Sequence, residues 1–218
     1  MERADEEFDQ IFPVRIRKHS ALHWTPVAVA STAARLLVTA PGTRVLDIGC
    51  GPGKFCLVGA KSSDGYFTGI EQRTDLVAVA RRAATKLELS NVKFLRGNVL
   101  EMSFEDYDAF YLYNPFAENI AGHRIDATVP LTIRLFKSYI RYVASQLGRR
   151  PLGTRVVTYA GYADEIPACY DCEACFFDDD LKLWVKNREH DDALDELELV
   201  PARSYRGATG WKPPRELG

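Results

Sequence analysis

Val45-Leu46-Asp47-Ile48-Gly49-Cys50-Gly51-Pro52-Gly53-Lys54-Phe55 decides how the rest of the chain is read. Arg44 to Ile48 is an apolar run closed by a turn signal, which suits a strand covered on both faces. Glycine at 49, 51 and 53 permits backbone angles that other residues avoid. It also removes each Cβ that would hold a ligand off the main chain. A helix is expected from Lys54. Open α/β sheets bind ligands at such a turn, at the carboxyl end of a strand and ahead of a helix. The first N–H groups of the helix add partial positive charge.

Two ligand classes use this arrangement. A dinucleotide site has the spacing G-x-G-x-x-G. Here the third glycine comes one residue early, at Gly53, and Lys54 follows. Asp47 ends the strand, where a carboxylate would repel a pyrophosphate but can hydrogen-bond, directly or through water, to a cationic amino-acid moiety. That favours S-adenosylmethionine over a nicotinamide cofactor. The stretch resembles the first motif of the class I S-adenosylmethionine-dependent methyltransferases. The resemblance implies an α/β fold: a doubly wound, mostly parallel seven-stranded sheet with an antiparallel C-terminal hairpin and helices on both faces. At the turn it implies a cofactor site made by Asp47, Gly49, Cys50, Gly51 and Gly53.

The next segments fit that expectation. Gly65 to Glu71 reads as a second strand, and Glu71 ends it 24 residues after Asp47. An acidic residue at this distance is placed to accept hydrogen bonds from ribose hydroxyls, with Gln72 beside it. Val92 to Arg96 reads as a third strand, followed by Gly97, Asn98 and Val99. In the family resembled, Asp or Asn at that point contacts the adenine amino group; Asn98 can equally close a turn.

Ala109 to Tyr113 reads as a fourth strand leading into Asn114-Pro115-Phe116. This trio resembles the Asn/Asp-Pro-Pro-Tyr/Phe motif of amino-group methyltransferases, one proline short, and the Asn-Asn-Phe element of non-SET lysine methyltransferases. The resemblance implies catalytic roles for Asn114, Pro115 and Phe116, with Asn114 also bordering the cofactor. An Asn carbonyl and a rigid Pro backbone can hold a nitrogen, and Phe116 can stack on a flat group. The expected activity is methyl transfer to an amine or amide nitrogen of a protein side chain, small molecule or nucleobase. The alternatives are a nicotinamide-dependent oxidoreductase and an inactive S-adenosylmethionine-binding partner protein.

Outside these motifs, Thr25-Pro26 is expected to open a helix to about Val38, with Thr25 as N-cap and Pro26 at the first helical position. Pro130 is expected to open a long helix to about Leu147, capped by Gly148. Gly153 to Tyr159 reads as a fifth strand. Residues 175–177 and 181–186 read as a hairpin around Asp178-Asp179-Asp180. Residues 1–24 are expected to form an arm, 25–200 the methyltransferase domain, and 201–218 an irregular tail.

The 28 basic and 30 acidic side chains leave a net charge of −2, so no global positive field points to nucleic acid or an anionic membrane. A protein or small-molecule acceptor is expected before nucleic acid. The polar, acidic start does not read as a secretory signal, and no apolar run approaches the ~20 residues that span a bilayer. Five cysteines fit a reducing cytoplasm. Cys169, Cys172 and Cys175 are spaced as metal ligands but lack a fourth partner at a usual distance, and no metal is expected. His19 and His23, before the first helix, are candidate bases or plain surface residues.

Overall fold

The computed structural model describes residues 2–120, 124–161 and 163–191. The tail expected at 201–218 and the far end of the expected 25–200 domain lie outside the described residues. Seven strands form one sheet: β1 (Arg44–Ile48), β2 (Tyr66–Glu71), β3 (Val92–Arg96), β4 (Ala109–Leu112), β5 (Arg155–Tyr159), β6 (Tyr170–Phe176) and β7 (Leu181–Lys186). Their order is β3-β2-β1-β4-β5-β7-β6. The first five strands run parallel; β7 is antiparallel to both β5 and β6. This is the sheet the sequence implies. The order reverses between β1 and β4, and a crevice opens at such a switch point.

The central strands are buried along almost their whole length, and their alternating side chains feed two cores. Val45, Phe67, Tyr111 and Val157 join the core beneath α4 (Val27–Leu37), α5 (Lys54–Ser62) and α6 (Thr74–Lys86). Leu46, Ile48, Phe110, Leu112 and Val156 join the other, beneath α7 (Ile133–Gly148).

Four boundaries differ from expectation. Thr25 does not cap α4: its hydroxyl pairs with the Tyr111 hydroxyl at 2.9 Å, and the Val27 N–H donates to Asp5 Oδ1 at 2.9 Å. The cap therefore comes from another part of the chain. The long helix starts at Ile133, not Pro130, because Thr132 supplies the cap by accepting from Leu135 N at 3.1 Å. Gly148 is the last helical residue rather than the cap, and Arg149 follows it in αR geometry. The carbonyls at this end are taken by Lys186 Nζ, which donates to Gly148 O and Arg150 O at 2.6 Å each. A cation there also suits the helix dipole. The hairpin strand β6 begins at Tyr170, five residues earlier than expected, and carries a bulge between Cys172 and Ala174.

The first 24 residues fold onto the core. They form α1 (Glu2–Asp9), α2 (Val14–Arg17) and α3 (Ser20–His23). Phe12, Ile16 and Trp24 are buried in the same core as α4 and α5. The Trp24 indole N–H donates to Ile16 O at 3.1 Å. Lys54, 2% exposed at the start of α5, forms ion pairs with Asp5 at 2.7 Å and Asp9 at 2.8 Å.

Candidate active site

The carboxyl ends of β1, β2, β3 and β4 surround a cleft with about 950 Å³ of free space, its open mouth included. Its walls contain Gly49, Gly51, Glu71, Gln72, Gly97, Val99, Asn114, Pro115 and Phe116. Nine residues picked from the sequence are thus gathered in one place. Asp47 and Cys50 border a small polar chamber next to it, with Thr25, Lys54 and Tyr111; His23, Trp24, Gly49 and Tyr113 border both spaces. Gly53 and Asn98 line neither. Asn98 Oδ1 accepts from Leu100 N at 3.1 Å, which closes a short 3₁₀ turn.

The three glycines take the unusual backbone angles expected of them, and they have a second cause the sequence did not reveal. Each has positive φ: +75° at Gly49, +54° at Gly51 and +83° at Gly53. A Cβ would also meet protein at each. It would lie 2.7 Å from Pro115 Cβ at Gly49, 2.6 Å from the Trp24 ring at Gly51 and 2.4 Å from the Phe94 ring at Gly53. The turn is glycine-rich because other parts of this chain press on it.

Glu71 is fixed before any ligand arrives. Gly51 N donates to its Oε2 at 3.2 Å and Arg73 N to its Oε1 at 2.8 Å. Burial raises the Glu71 pKa, and the donors from Arg73 and Gly51 oppose that shift. Asp47, 3% exposed, is pushed up to about 7 chiefly by burial; the Cys56 thiol, donating at 3.3 Å, holds it down, and the charge on Glu71 pushes it up. Burial likewise pushes the Cys50 and Cys56 thiols well up, so both act as packing groups.

On the facing wall, Asn114 has φ +42°, a region Asn enters more readily than most residues. Its carboxamide has no hydrogen-bond partner among the described residues. It lies against Gly161, where a Cβ would come within 1.8 Å of Asn114 Oδ1. Phe116 is buried and stacks on Tyr139 with ring centroids 4.8 Å apart. The Tyr113 hydroxyl donates to Leu22 O at 3.2 Å.

Sequence reasoning missed Arg73, Glu118, Leu22, Trp24 and Ile125, which also line the cleft. The adjacency of Arg73 to Glu71 was the only signal for the first, and the others had none. Of the sulfur-rich stretch, Cys169 faces His190 at 3.7 Å, and Cys172 and Cys175 are exposed with sulfurs 3.6 Å apart. Among the described residues no three metal-type ligands converge.

A family model described as a methyltransferase domain matches residues 39–128, from before β1 through the Asn-Pro-Phe segment and the loop after it. Those residues carry a methyltransferase domain, and the sheet order is that of the class I S-adenosylmethionine-dependent fold. A demethylmenaquinone methyltransferase of Listeria monocytogenes is 27% identical to it over 173 residues, 68% of this chain and 73% of that one. Two solved structures share the fold of the chain. An RNA methyltransferase from Salinibacter ruber, in complex with S-adenosyl-L-homocysteine, has TM-score 0.56 and 20% identity over 77% of this chain and 96% of its own. TrmN from Thermus thermophilus has TM-score 0.55 and 19% identity over 78% and 53%. No described helix is long and apolar enough to cross a membrane.

Proposed function

We propose that this methyltransferase acts in the cytoplasm and methylates an amine or amide nitrogen of a small molecule or protein side chain. The observation that carries the reading is the Asn114 carboxamide. It stands at the end of β4 on the cleft wall, unpartnered among the described residues, with its backbone in left-handed geometry. A carboxamide on a cleft wall offers both a donor and an acceptor to whatever enters, and here the partner would be the methyl acceptor.

The walls fit S-adenosylmethionine. Glu71 would accept from the ribose hydroxyls, and its orientation is set by the Gly51 and Arg73 N–H groups. Asp47, in the polar chamber, would accept from the ammonium group. Ile48, Ile70 and Val99 offer apolar surface to the adenine. When bound, the cofactor would supply an electrophilic sulfonium methyl, and the acceptor nitrogen would give up one N–H proton on taking it.

The protein's own contribution is placement. Asn114 Oδ1 and the Pro115 carbonyl accept from the acceptor's N–H groups and aim the lone pair. Phe116 is held flat by Tyr139 and closes the wall behind them. Positioning of this kind can supply most of the acceleration. His23 borders both the cleft and the polar chamber and is the candidate to take the proton.

A second reading has one observation in its favour. The Listeria relative is named for demethylmenaquinone, and a ring acceptor of that kind would need His23 as base more than Asn114 as guide. Mass spectrometry of the methylated product decides between them. A methyl on nitrogen is expected; a methyl on carbon or oxygen would transfer the weight to His23.

The cofactor assignment has its own test. Glu71→Ala should weaken S-adenosylhomocysteine binding by about 1.5–3 kcal/mol, the range for hydrogen bonds to a charged group. Glu71→Gln keeps an oxygen for the Gly51 N–H and should lose less. Equal affinity of wild type and Glu71→Ala by calorimetry would remove Glu71 from the site.

A further inference from the structure

Arg73 is almost completely buried and meets three carboxylates. Its NH2 group donates to Glu118 Oε2 at 2.9 Å and its Nε to Asp126 Oδ1 at 3.0 Å. Its NH1 group lies 3.9 Å from Glu71 Oε1. Its backbone N–H holds the same Glu71 oxygen. Glu118 and Asp126 flank the segment that follows Asn114-Pro115-Phe116. Glu118 also accepts from Ile125 N at 2.9 Å, and Asp126 accepts from Thr128 N and its hydroxyl. Glu71, Arg73, Glu118 and Ile125 all line the cleft. One guanidinium thus spans from the end of β2, on the cofactor wall, to the segment on the acceptor wall.

We propose that Arg73 is a positioning residue that couples cofactor binding at Glu71 to the placement of the acceptor wall formed by residues 114–120 and 124–128. The planar fork gives the link its geometry. Two edges of the guanidinium engage two carboxylates on the loop, and a third carboxylate stands beside the cofactor's ribose. Removing the cation leaves three carboxylates close together without the guanidinium that bridges them, so the acceptor wall separates from β2. A ligand that presents hydroxyl donors to Glu71 relieves part of this surplus negative charge and tightens the same assembly. The cofactor then prepares the place where the acceptor nitrogen is to be held.

The proposal rests on the methyltransferase reading of the cleft for its probe, S-adenosylhomocysteine, and does not depend on the acceptor atom. The test is amide hydrogen exchange of the full chain with and without that probe, together with calorimetry. In the wild type, binding is expected to slow exchange at Ala117, Asn119, Ile120 and Ile125, whose N–H groups bond within the segment. In Arg73→Gln the dissociation constant should rise about tenfold, a link worth about 1.4 kcal/mol. The probe, once bound, should no longer slow those four amides, while β1 and β4 amides keep their protection. Arg73→Lys restores the charge without the fork, so it should recover most of the affinity and only part of the loop protection. Glu118→Gln keeps an acceptor for Ile125 N and should lower the ligand-induced protection at Ala117, Asn119 and Ile120 at least threefold, whether or not Arg73→Gln folds. Undiminished ligand-induced protection in folded Arg73→Gln, or in Glu118→Gln if Arg73→Gln fails to fold, would overturn the coupling and leave Arg73 a satisfied buried ion. Absence of probe binding to the wild type would overturn the cofactor reading, and this proposal with it.

Discussion

Lys54→Met will cost the native state about 3–5 kcal/mol, the range for breaking a buried ion pair from one side. The ammonium of Lys54 is 2% exposed and holds Asp5 and Asp9, themselves 21% and 8% exposed, at 2.7 and 2.8 Å. It also donates to Ser20 Oγ at 3.3 Å. Methionine fills nearly the same volume, so the loss is electrostatic rather than a cavity. It leaves two carboxylates facing one another away from bulk water. Asp5 Oδ1 also accepts from Val27 N, so its displacement exposes the first turn of α4 as well. Urea unfolding should show a lower midpoint with an unchanged slope. Arg44→Ala is the control. Its pair with Asp108, 2.9 Å long, is half exposed on both sides and should be worth less than about 1 kcal/mol. Equal losses in the two variants would mean that the Lys54 cluster is no more than a surface pair.

Asn114→Gly should lower turnover by about 100-fold or more, the size of effect expected when a reacting group loses its alignment. S-adenosylhomocysteine affinity should stay within about threefold, because Glu71 and the glycine turn are untouched. Glycine is the informative replacement. It accepts the +42° φ of this position without strain and removes only the carboxamide. Asn114→Ala removes the same group but adds backbone strain, so it should also unfold at a lower temperature. Asn114→Asp keeps an oxygen acceptor and should retain part of the activity. Gly161→Ala approaches the amide from the other side, since the new Cβ would displace Oδ1. It should reproduce the turnover loss but, with φ +113° at Gly161, it should also lower the unfolding temperature. Full turnover in Asn114→Gly would remove the amide from the reaction.

How far these features were legible in the sequence depends on how local their causes are. The sheet was legible because each central strand is a short apolar run with its own turn signal, from Val45-Leu46-Asp47-Ile48 onward. Glu71 was legible because its distance from the turn is set by one strand–helix–strand unit. Asn114 was legible because it sits at a strand end with a proline after it. The arm was not. Its residues alternate charge and bulk without a period, and their partners come much later: Lys54 for Asp5 and Asp9, Gly51 for Trp24. Thr25-Pro26 has the composition of a helix start, but tertiary structure reassigned Thr25 to Tyr111 and drew the cap from Asp5. Arg73 carries no pattern of its own; only the folded loop brings Glu118 and Asp126 to it.

The bond between Asp5 and Lys54 closes over 49 residues, and that has a bearing on the order of events during synthesis. The carboxylates of α1 leave the ribosome well before the ammonium they require. An eight-residue helix is too short to persist alone in water. Trp24 likewise has no surface to cover until Gly51 has been made and its turn has formed against β2. Residues 2–24 thus become structured only after the segment around Gly51 and Lys54 has been made. The nascent arm must wait, unfolded and open to chaperones and proteases, until the glycine turn exists to receive it.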